Sequence, residues 1–212
     1  MQRKQSNKKE ITYQYLDINR VNSYIQNQNY PSLLDYAANF QWDINNVKNT
    51  KYFQWDINNV NNTQYEDELR ICENLILDHF LSLQDEQLVR KLLIDLIDKV
   101  DLFPEIYEKA CARLIDNKTP EQAMMVYRRI KDQCFCFPSH TILEFISTNT
   151  KKADTCLFFI NDLEQSYQKY GNKSYDKFIL EFYQRFRAVC TKEEYEKFIE
   201  SGMQPENNPQ KQ

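Results

Sequence analysis

Residues 101–133 read DLFPEIYEKACARLIDNKTPEQAMMVYRRIKDQ and predict two helices joined by a short turn. Pro104 suits the first turn of a helix, because a backbone N–H at that position would have no intrahelical acceptor. The Asp-Asn pair at 116–117 interrupts the helical spacing, and Thr119 with Gln122 has the spacing of a capping box that begins a second helix. The stretch therefore predicts a helical hairpin of roughly 34 residues, the length of one unit in many helical-repeat proteins.

Each of these two predicted helices has one apolar face. The apolar residues recur at i, i+3, i+4 and i+7, the spacing of a helix that buries one side. Small residues occupy positions where the two helices of a hairpin must approach closely. The predicted core positions are Tyr107, Ala110, Cys111, Leu114, Ala123, Val126, Tyr127 and Ile130.

Glycine is scarce in this chain, with 2 among 212 residues, whereas ordinary usage of about 7% would give roughly 15. Phosphate-binding loops, dinucleotide-binding turns and tight hairpins need glycine where the backbone approaches a ligand or adopts positive φ. Gly171 and Gly202 each follow a helical pattern and are interpreted as helix C-caps. The composition disfavours P-loop, Rossmann and most all-β folds, and it predicts a chain that is nearly all helical.

Charge and cysteine content limit the partners and the compartment. A formal net charge of −4 and a pI of about 5.4 give no basic footprint for nucleic acid. The sequence has no run of 18 apolar residues, so we expect no transmembrane segment. The cysteines lack the paired spacing of a disulfide framework, which favours a reducing compartment, either the cytosol or the mitochondrial matrix. They are residues 72, 111, 134, 136, 156 and 190.

The N-terminal part of the chain contains a basic start and a tandem duplication. Residues 1–10 are rich in lysine and arginine and have two interpretations: the start of a mitochondrial presequence, or a disordered basic segment, which is the preferred one. FQWDINNVKNTKY (40–52) is followed at once by FQWDINNVNNTQY (53–65). Because paired asparagines favour turns, we predict an extended surface strap here. Trp42 and Trp55 would anchor it to the protein or to a partner; alternatively, the duplication is simply tolerated in a loop.

From residue 66 onward the helical pattern is continuous and predicts about eight helices in four consecutive pairs. Thr191 and Glu194 supply a second capping box. The fold class is therefore all-α, an α-α superhelix of antiparallel helical hairpins with an irregular Asn-rich N-terminal segment. The predicted organisation is an N-terminal extension (1–65), a helical-hairpin domain (66–202) and a flexible tail (203–212). The predicted pairs are 66–83 with 85–100, 103–116 with 119–133, 139–148 with 152–170, and 174–190 with 191–201.

Few residues in the sequence indicate a catalytic or metal-binding site. Cys134, Cys136 and His140 are the one local cluster of metal-ligand types, but a zinc site wants four ligands, or three with an open position. The preferred interpretation is buried turn cysteines. His79 lies on an apolar stripe and is predicted to be a core histidine with its hydrogen bonds satisfied. We find no catalytic constellation, so the chain is predicted to be no enzyme and to bind no cofactor.

Basic side chains of the predicted hairpin at 101–133 are candidates for a protein interface. Arg128, Arg129 and Lys131 form a stripe on its second helix, and Arg113 lies on the first. The stripe is interpreted either as a solvated face or as a docking site for an acidic partner.

The central block also resembles cytochrome c oxidase subunit Va, a peripheral helical subunit on the matrix face of the oxidase. That family has an Arg-Lys pair, an Asp-Leu/Val-Val-Pro stretch, an Ala-Cys-Arg-Arg motif and a helix with a bulky apolar pair before a Lys-Asp or Lys-Tyr pair. The resemblance covers roughly residues 85–150. It is carried here by Arg90-Lys91, Asp101-Leu102-Phe103-Pro104, Ala110-Cys111-Ala112-Arg113-Leu114-Ile115-Asp116, Val126-Tyr127 and Ile130-Lys131-Asp132.

The resemblance implies a non-catalytic accessory subunit of respiratory complex IV. Such a subunit lies on the matrix side of the mitochondrial inner membrane, holds no redox centre and contacts core and neighbouring subunits. The same hairpins also resemble tetratricopeptide and pentatricopeptide units, especially from Ala123 to Pro138. The alternative is therefore a protein-binding adaptor in another mitochondrial or cytosolic assembly. An RNA-binding role is disfavoured, because it needs many repeats and a basic groove.

Overall fold

The computed structural model describes residues 16–48, 62–133, 138–170 and 173–201. These residues form ten α-helices and no strand, so the all-α prediction is confirmed. The superhelical arrangement stays a prediction. The helices are α1 (Ile18–Gln26), α2 (Tyr30–Lys48), α3 (Asn62–Ser82), α4 (Glu86–Lys99), α5 (Pro104–Ile115), α6 (Pro120–Gln133), α7 (His140–Asn149), α8 (Ala153–Tyr170), α9 (Asp176–Val189) and α10 (Lys192–Glu200), with a 3-10 turn at Lys173–Tyr175.

Local capping signals set several helix starts. The Thr119 N–H donates to Gln122 Oε1 at 3.0 Å, and the Gln122 N–H donates to Thr119 Oγ1 at 3.3 Å, so the predicted capping box is confirmed. The second box, at Thr191 and Glu194, is also formed. Between α5 and α6 the turn is made by Asn117 at φ 55°, a left-handed conformation that asparagine tolerates better than most residues.

The contacts divide the chain into two compact units, residues 1–106 and 107–212. In the first unit α1 packs on α2 and α3, while α4 packs on α2 and α3, which also pack on each other. In the second unit α7 packs on α6 and α9, and α9 also packs on α8. The larger fully buried side chains are Leu33, Leu34, Ile76, Leu77, Phe80, Leu93 and Leu96 in the first unit, and Phe159, Tyr175, Phe182 and Phe186 in the second.

The N-terminal region differs from the predicted irregular extension. Helix α2 continues through the first copy of the duplication to Lys48, so the prediction of an extended strap is wrong for residues 40–48. Packing outweighs the turn preference of the asparagines, because α2 has a buried face of Leu33, Leu34, Ala37 and Phe40. Residues 49–61 lie outside the described residues, and the second copy is described again only from Asn62, where α3 begins.

The helix pairing follows the prediction only in part. Helices α3 and α4 pack together as expected. In the second unit the most extensive backbone contacts join α6 to α7 and α8 to α9. Each of these pairs combines helices that the sequence assigned to two different hairpins. Ala110, Cys111 and Ala123 are fully buried, as predicted, but Val126 and Tyr107 are partly exposed. Small residues permit two helices to approach closely and do not require it.

Within the described parts of the chain, every helix is too short or too polar to cross a bilayer.

Candidate functional site

Most of the side-chain hydrogen bonds that join parts of the second unit span a similar separation along the chain, although Tyr183–Glu164 spans 19 residues. Four of them, between helices or between a helix and its neighbouring loop, span 31 to 35 residues. This separation is close to the roughly 34 residues of one helical-repeat unit. The bonds are Tyr127–Asp162, Ser139–Glu108, Ser147–Glu181 and Arg185–Thr150. We call this set the interhelical polar network.

Asp162 joins α8 to α6. Its Oδ2 accepts from the Tyr127 hydroxyl at 2.7 Å, and its Oδ1 accepts from the Lys131 ammonium. The carboxylate is buried, so both partners offset the cost of removing its charge from water. Burial and the neighbouring Asp162 charge raise the pKa of Tyr127 far above its ordinary value. Tyr127 is therefore a fixed hydrogen-bond donor and not an acid that works near neutral pH.

Glu108 joins α5 to the start of α7. One carboxylate oxygen accepts from the Ser139 hydroxyl at 2.6 Å and from the Thr141 N–H at 3.0 Å; the other accepts from the His140 N–H at 3.0 Å. A helix N-terminus leaves such N–H groups unpaired and favours a negative charge. Burial alone would raise the pKa of Glu108, but these hydrogen bonds outweigh it, and the pKa lies below its ordinary value.

Glu108→Gln is expected to lower the free energy of unfolding by about 1–2 kcal/mol at pH 7, because α7 loses a charged cap. The folded-state pKa of Glu108 is depressed. Its stabilising effect is therefore present above the unfolded-state value of about 4.3 and is lost as the pH falls through the folded-state value. In urea unfolding, the difference in the free energy of unfolding between wild type and Glu108→Gln should be smaller at acid pH than at pH 7.

The matched control for this prediction is Glu144→Gln, which changes an exposed carboxylate on α7 itself. This variant should stay within about 0.5 kcal/mol of wild type at both pH values. An equal loss in the two variants, or a Glu108→Gln deficit that persists undiminished in acid, would contradict the capping role.

Helix α9 is joined to α7 and α8 by three further contacts. The Arg185 Nε–H donates to the Thr150 carbonyl at 2.6 Å and so caps the C-terminal end of α7. The Ser147 hydroxyl donates to Glu181 at 3.2 Å, and the Tyr183 hydroxyl donates to Glu164 at 3.0 Å. The polar groups at these positions are therefore engaged in hydrogen bonds that hold the helices together.

The first unit contains a similar arrangement around Glu73. This carboxylate is fully buried and accepts from the Phe103 N–H at 2.9 Å. Arg70, one turn earlier on α3, lies 4.1 Å from the Phe103 ring centroid and forms an ion pair with Glu105. Burial raises the pKa of the neighbouring Cys72 thiol to about 12, so this thiol is a poor nucleophile at neutral pH.

The interface candidates lie in different environments. Lys131 pairs with Asp162, and the Arg128 guanidinium lies 4.4 Å from the Phe158 ring centroid, so both contact α8. Arg113 pairs with Asp116 at 3.7 Å within its own turn, while Arg129 is exposed on α6. Trp42 belongs to α2, although its side chain lies outside what the structure describes, and Trp55 lies outside the described residues altogether.

His140 is the described member of the group of Cys134, Cys136 and His140, for which a metal site was the less favoured interpretation. Its ring contacts Tyr175 and Phe178, with centroid distances of 5.9 and 5.2 Å, and its Nε2 lies 3.3 Å from Ser174 Oγ. Cys134 and Cys136 lie outside the described residues. Within the described ranges, His, Cys, Asp and Glu nowhere gather in a group of three able to hold a metal ion. The metal site stays a hypothesis about residues 134–140.

His79 departs from the prediction of a core histidine with satisfied hydrogen bonds. Its Nε2 is buried and has no hydrogen-bond partner among the described residues. Aromatic rings surround it, with Tyr30 at 5.8 Å and Phe80 at 6.2 Å between centroids. Burial lowers the pKa of His79, which favours the neutral ring. An apolar stripe can place a histidine ring among aromatic side chains that leave one of its nitrogens without a hydrogen-bond partner.

Sequence reasoning missed the residues of the polar network. Glu108, Asp162 and Arg185 lie beside buried apolar positions of their helices, and this adjacency is the one signal that could have identified them. Comparison of the chain with protein-family models, curated proteins and solved structures gives no significant match.

Proposed function

We propose that this chain is a non-catalytic helical subunit of a larger protein assembly. The observation that carries the proposal is the interhelical polar network, with its separations of 31 to 35 residues. Such spacing supports a stack of helical-hairpin repeats. In such a stack each repeat completes its core against the next repeat, and the outer faces of the helices bind partners. Glu108, Tyr127 and Tyr183, whose pKa values are shifted, are engaged in contacts between helices.

The assembly we propose is mitochondrial cytochrome c oxidase, with the chain as an accessory subunit on the matrix face of the inner membrane. The support is the resemblance within residues 85–150. Several residues that carry it are core residues here: Ala110 and Cys111 are fully buried, while Leu114, Tyr127 and Ile130 are at most 4% exposed. Core residues that this chain has in common with that family favour the same fold. The exposed faces of the helices then determine which neighbouring subunits the chain contacts.

Native separation of detergent-solubilised mitochondria tests the oxidase proposal. The full chain, tagged at its C-terminus, should comigrate with the haem a absorbance. Depleting the chain should reduce the assembled oxidase and leave the cytochrome bc1 complex unchanged as an internal control. A tagged chain that migrates apart from haem a, with normal oxidase levels after depletion, would contradict the assignment.

The second candidate is a tetratricopeptide-like or pentatricopeptide-like adaptor in a different mitochondrial or cytosolic assembly. The same network spacing favours it, because units of roughly 34 residues are typical of those repeats. In that case the chain should migrate in a large complex that lacks haem a, and fractionation would show which compartment holds it.

A further inference from the structure

We propose that His79 makes the packing of α2 on α3 sensitive to mild acidification, so that protonation of its ring loosens the start of α2. This inference goes beyond the proposed function, because it concerns a contact within the first unit and needs no partner chain. We call the site the His79 contact and define it by Tyr30, His79 and Phe80.

The His79 contact joins the last turn of α3 to the first residue of α2. The centroid of the His79 ring lies 5.8 Å from that of Tyr30, and the Tyr30 ring meets Phe80 edge-on at 5.6 Å. Tyr30 and Phe80 are both buried, so the histidine ring lies against the core of the first unit. Because α2 begins at Tyr30, a change in the state of His79 acts on the start of that helix.

One ring nitrogen of His79 has no hydrogen bond. Nε2 is buried and has no partner among the described residues. In a neutral ring this nitrogen can carry a lone pair, whereas in the imidazolium both ring nitrogens carry N–H groups that need acceptors. A buried N–H without an acceptor, on a ring that also carries a charge, is more costly than a lone pair without a donor. Protonation therefore opposes the native position of the ring.

The aromatic neighbours offset only part of this cost. A cation is attracted by the face of an aromatic ring within about 6 Å of the centroid. The His79 centroid lies 5.8 Å from that of Tyr30 and 6.2 Å from that of Phe80, near the end of that range. An N–H directed at a ring face also makes a weaker hydrogen bond than one directed at an oxygen.

Within the described residues no carboxylate compensates the charge of a protonated His79. Burial is the one cause that lowers the pKa of His79, and Tyr30 brings a phenol, not a carboxylate, to the ring. The charged side chains of α3 and of the helices packed on it, α1, α2 and α4, have other partners or lie near the surface. They include Arg20 with Tyr24, Asp35 with Lys99, Glu73 with the Phe103 N–H, Asp85 with the start of α4, Glu86 with Arg90, the exposed Asp78, Lys91 and Asp98, and the half-buried Asp95.

The start of α2 is the element that yields. His79 is partly exposed, so the charged ring can turn toward water, and Tyr30 then loses one of its two aromatic neighbours. The turn before α2 contains Gln28 at φ 53°, a left-handed conformation that persists in a non-glycine residue only where surrounding contacts hold it. With the His79 ring displaced, the first turns of α2 open more often.

The pH window follows from the direction of the shift. The pKa of His79 in the folded unit lies below the unfolded-state value of about 6.5. Between the two values the unfolded state binds more protons. The stabilising effect of the neutral ring is therefore full above about pH 6.5 and is lost as the pH falls through the folded-state value. This window lies above that of Glu108, whose unfolded-state value is about 4.3.

Proton NMR of the full chain measures the titration directly. The chain has two histidines, His79 and His140, so the imidazole region contains two sets of signals, and His140→Gln assigns them. The His79 signals should titrate with a midpoint below about pH 6.5. A midpoint at or above that value would overturn the inference.

Hydrogen exchange then reports on α2. From about pH 7.5 to about pH 5.5, the protection factors of amides in the first turns of α2 should fall at least about threefold in the wild-type chain. In His79→Phe, which keeps an aromatic ring without a titrating nitrogen, they should stay constant. The matched control is His140→Gln, which removes the histidine of the second unit and should behave like wild type.

An acid-induced loss of protection that is equal in His79→Phe and wild type, or no loss in wild type, would overturn the inference. Circular dichroism verifies that His79→Phe is folded. If it is not, the wild-type titration decides together with wild-type exchange, in which α2 should lose protection while the amides of α9 keep theirs. None of these results bears on the proposed function, which native separation from mitochondria tests independently.

Discussion

Phe159→Ala is expected to lower the free energy of unfolding of the second unit by about 3–5 kcal/mol, the usual loss for truncating a buried phenylalanine. Phe159 is fully buried at the centre of a group of rings. Its centroid lies 4.8 Å from that of Tyr127 and 4.8 Å from that of Phe182, with the Phe182 ring nearly parallel. The substitution removes both ring contacts and leaves a cavity between α6, α8 and α9 that close-packed neighbours fill only partly.

Urea unfolding followed by far-UV circular dichroism is the appropriate measurement. The chain has two tryptophans, Trp42 and Trp55, and neither lies in α6, α8 or α9, the helices that contact Phe159. Leu180→Ala is the control, because it truncates an exposed side chain on α9 and should change stability by less than about 0.5 kcal/mol. A loss below about 1 kcal/mol in Phe159→Ala would contradict the packing described here.

Asp162→Ala is expected to lower the free energy of unfolding of the second unit by about 2–3 kcal/mol. The variant leaves the Tyr127 hydroxyl without its acceptor in a buried position and removes the ion-pair partner of Lys131. An unsatisfied buried donor costs about 1–3 kcal/mol. The loss of the ion pair should add less, because the Lys131 side chain is 42% exposed and can return to water.

A double-mutant cycle isolates the hydrogen bond. Tyr127→Phe removes the donor, so adding it to Asp162→Ala should cost less than the sum of the two single changes. Asp116→Ala is the control, since it removes an exposed carboxylate 3.7 Å from Arg113 and should be nearly neutral. Strict additivity of Tyr127→Phe and Asp162→Ala would show that the two groups do not depend on each other.

Local signals in the sequence predicted much of the helical content. The start of α6 follows from Thr119 and Gln122, whose reciprocal hydrogen bonds involve residues only three positions apart. The all-α class follows from apolar spacing and from the scarcity of glycine, which are properties of the chain itself. Burial of Ala110, Cys111 and Tyr127 follows from the same spacing.

Features that depend on tertiary contacts could not be predicted in this way. Helix α2 extends through Asn45 and Asn46 although these residues favour turns, because a buried face earlier in the helix holds it in place. Lys131 was assigned to an outward basic stripe, and its pairing with Asp162 depends on how α8 lies beside α6. Spacing within one helix contains no information about the register of its neighbour.

The separation of 31 to 35 residues in the polar network also limits how such a gene can change in length. An insertion within α5 or α9 that is not a whole number of helical turns would rotate Glu108 or Arg185 around its helix and away from its partner. The 13-residue duplication lies at 40–65, ahead of every network residue. Laboratory libraries of in-frame insertions should therefore recover viable clones in the turn between α5 and α6 far more often than within α5 or α9.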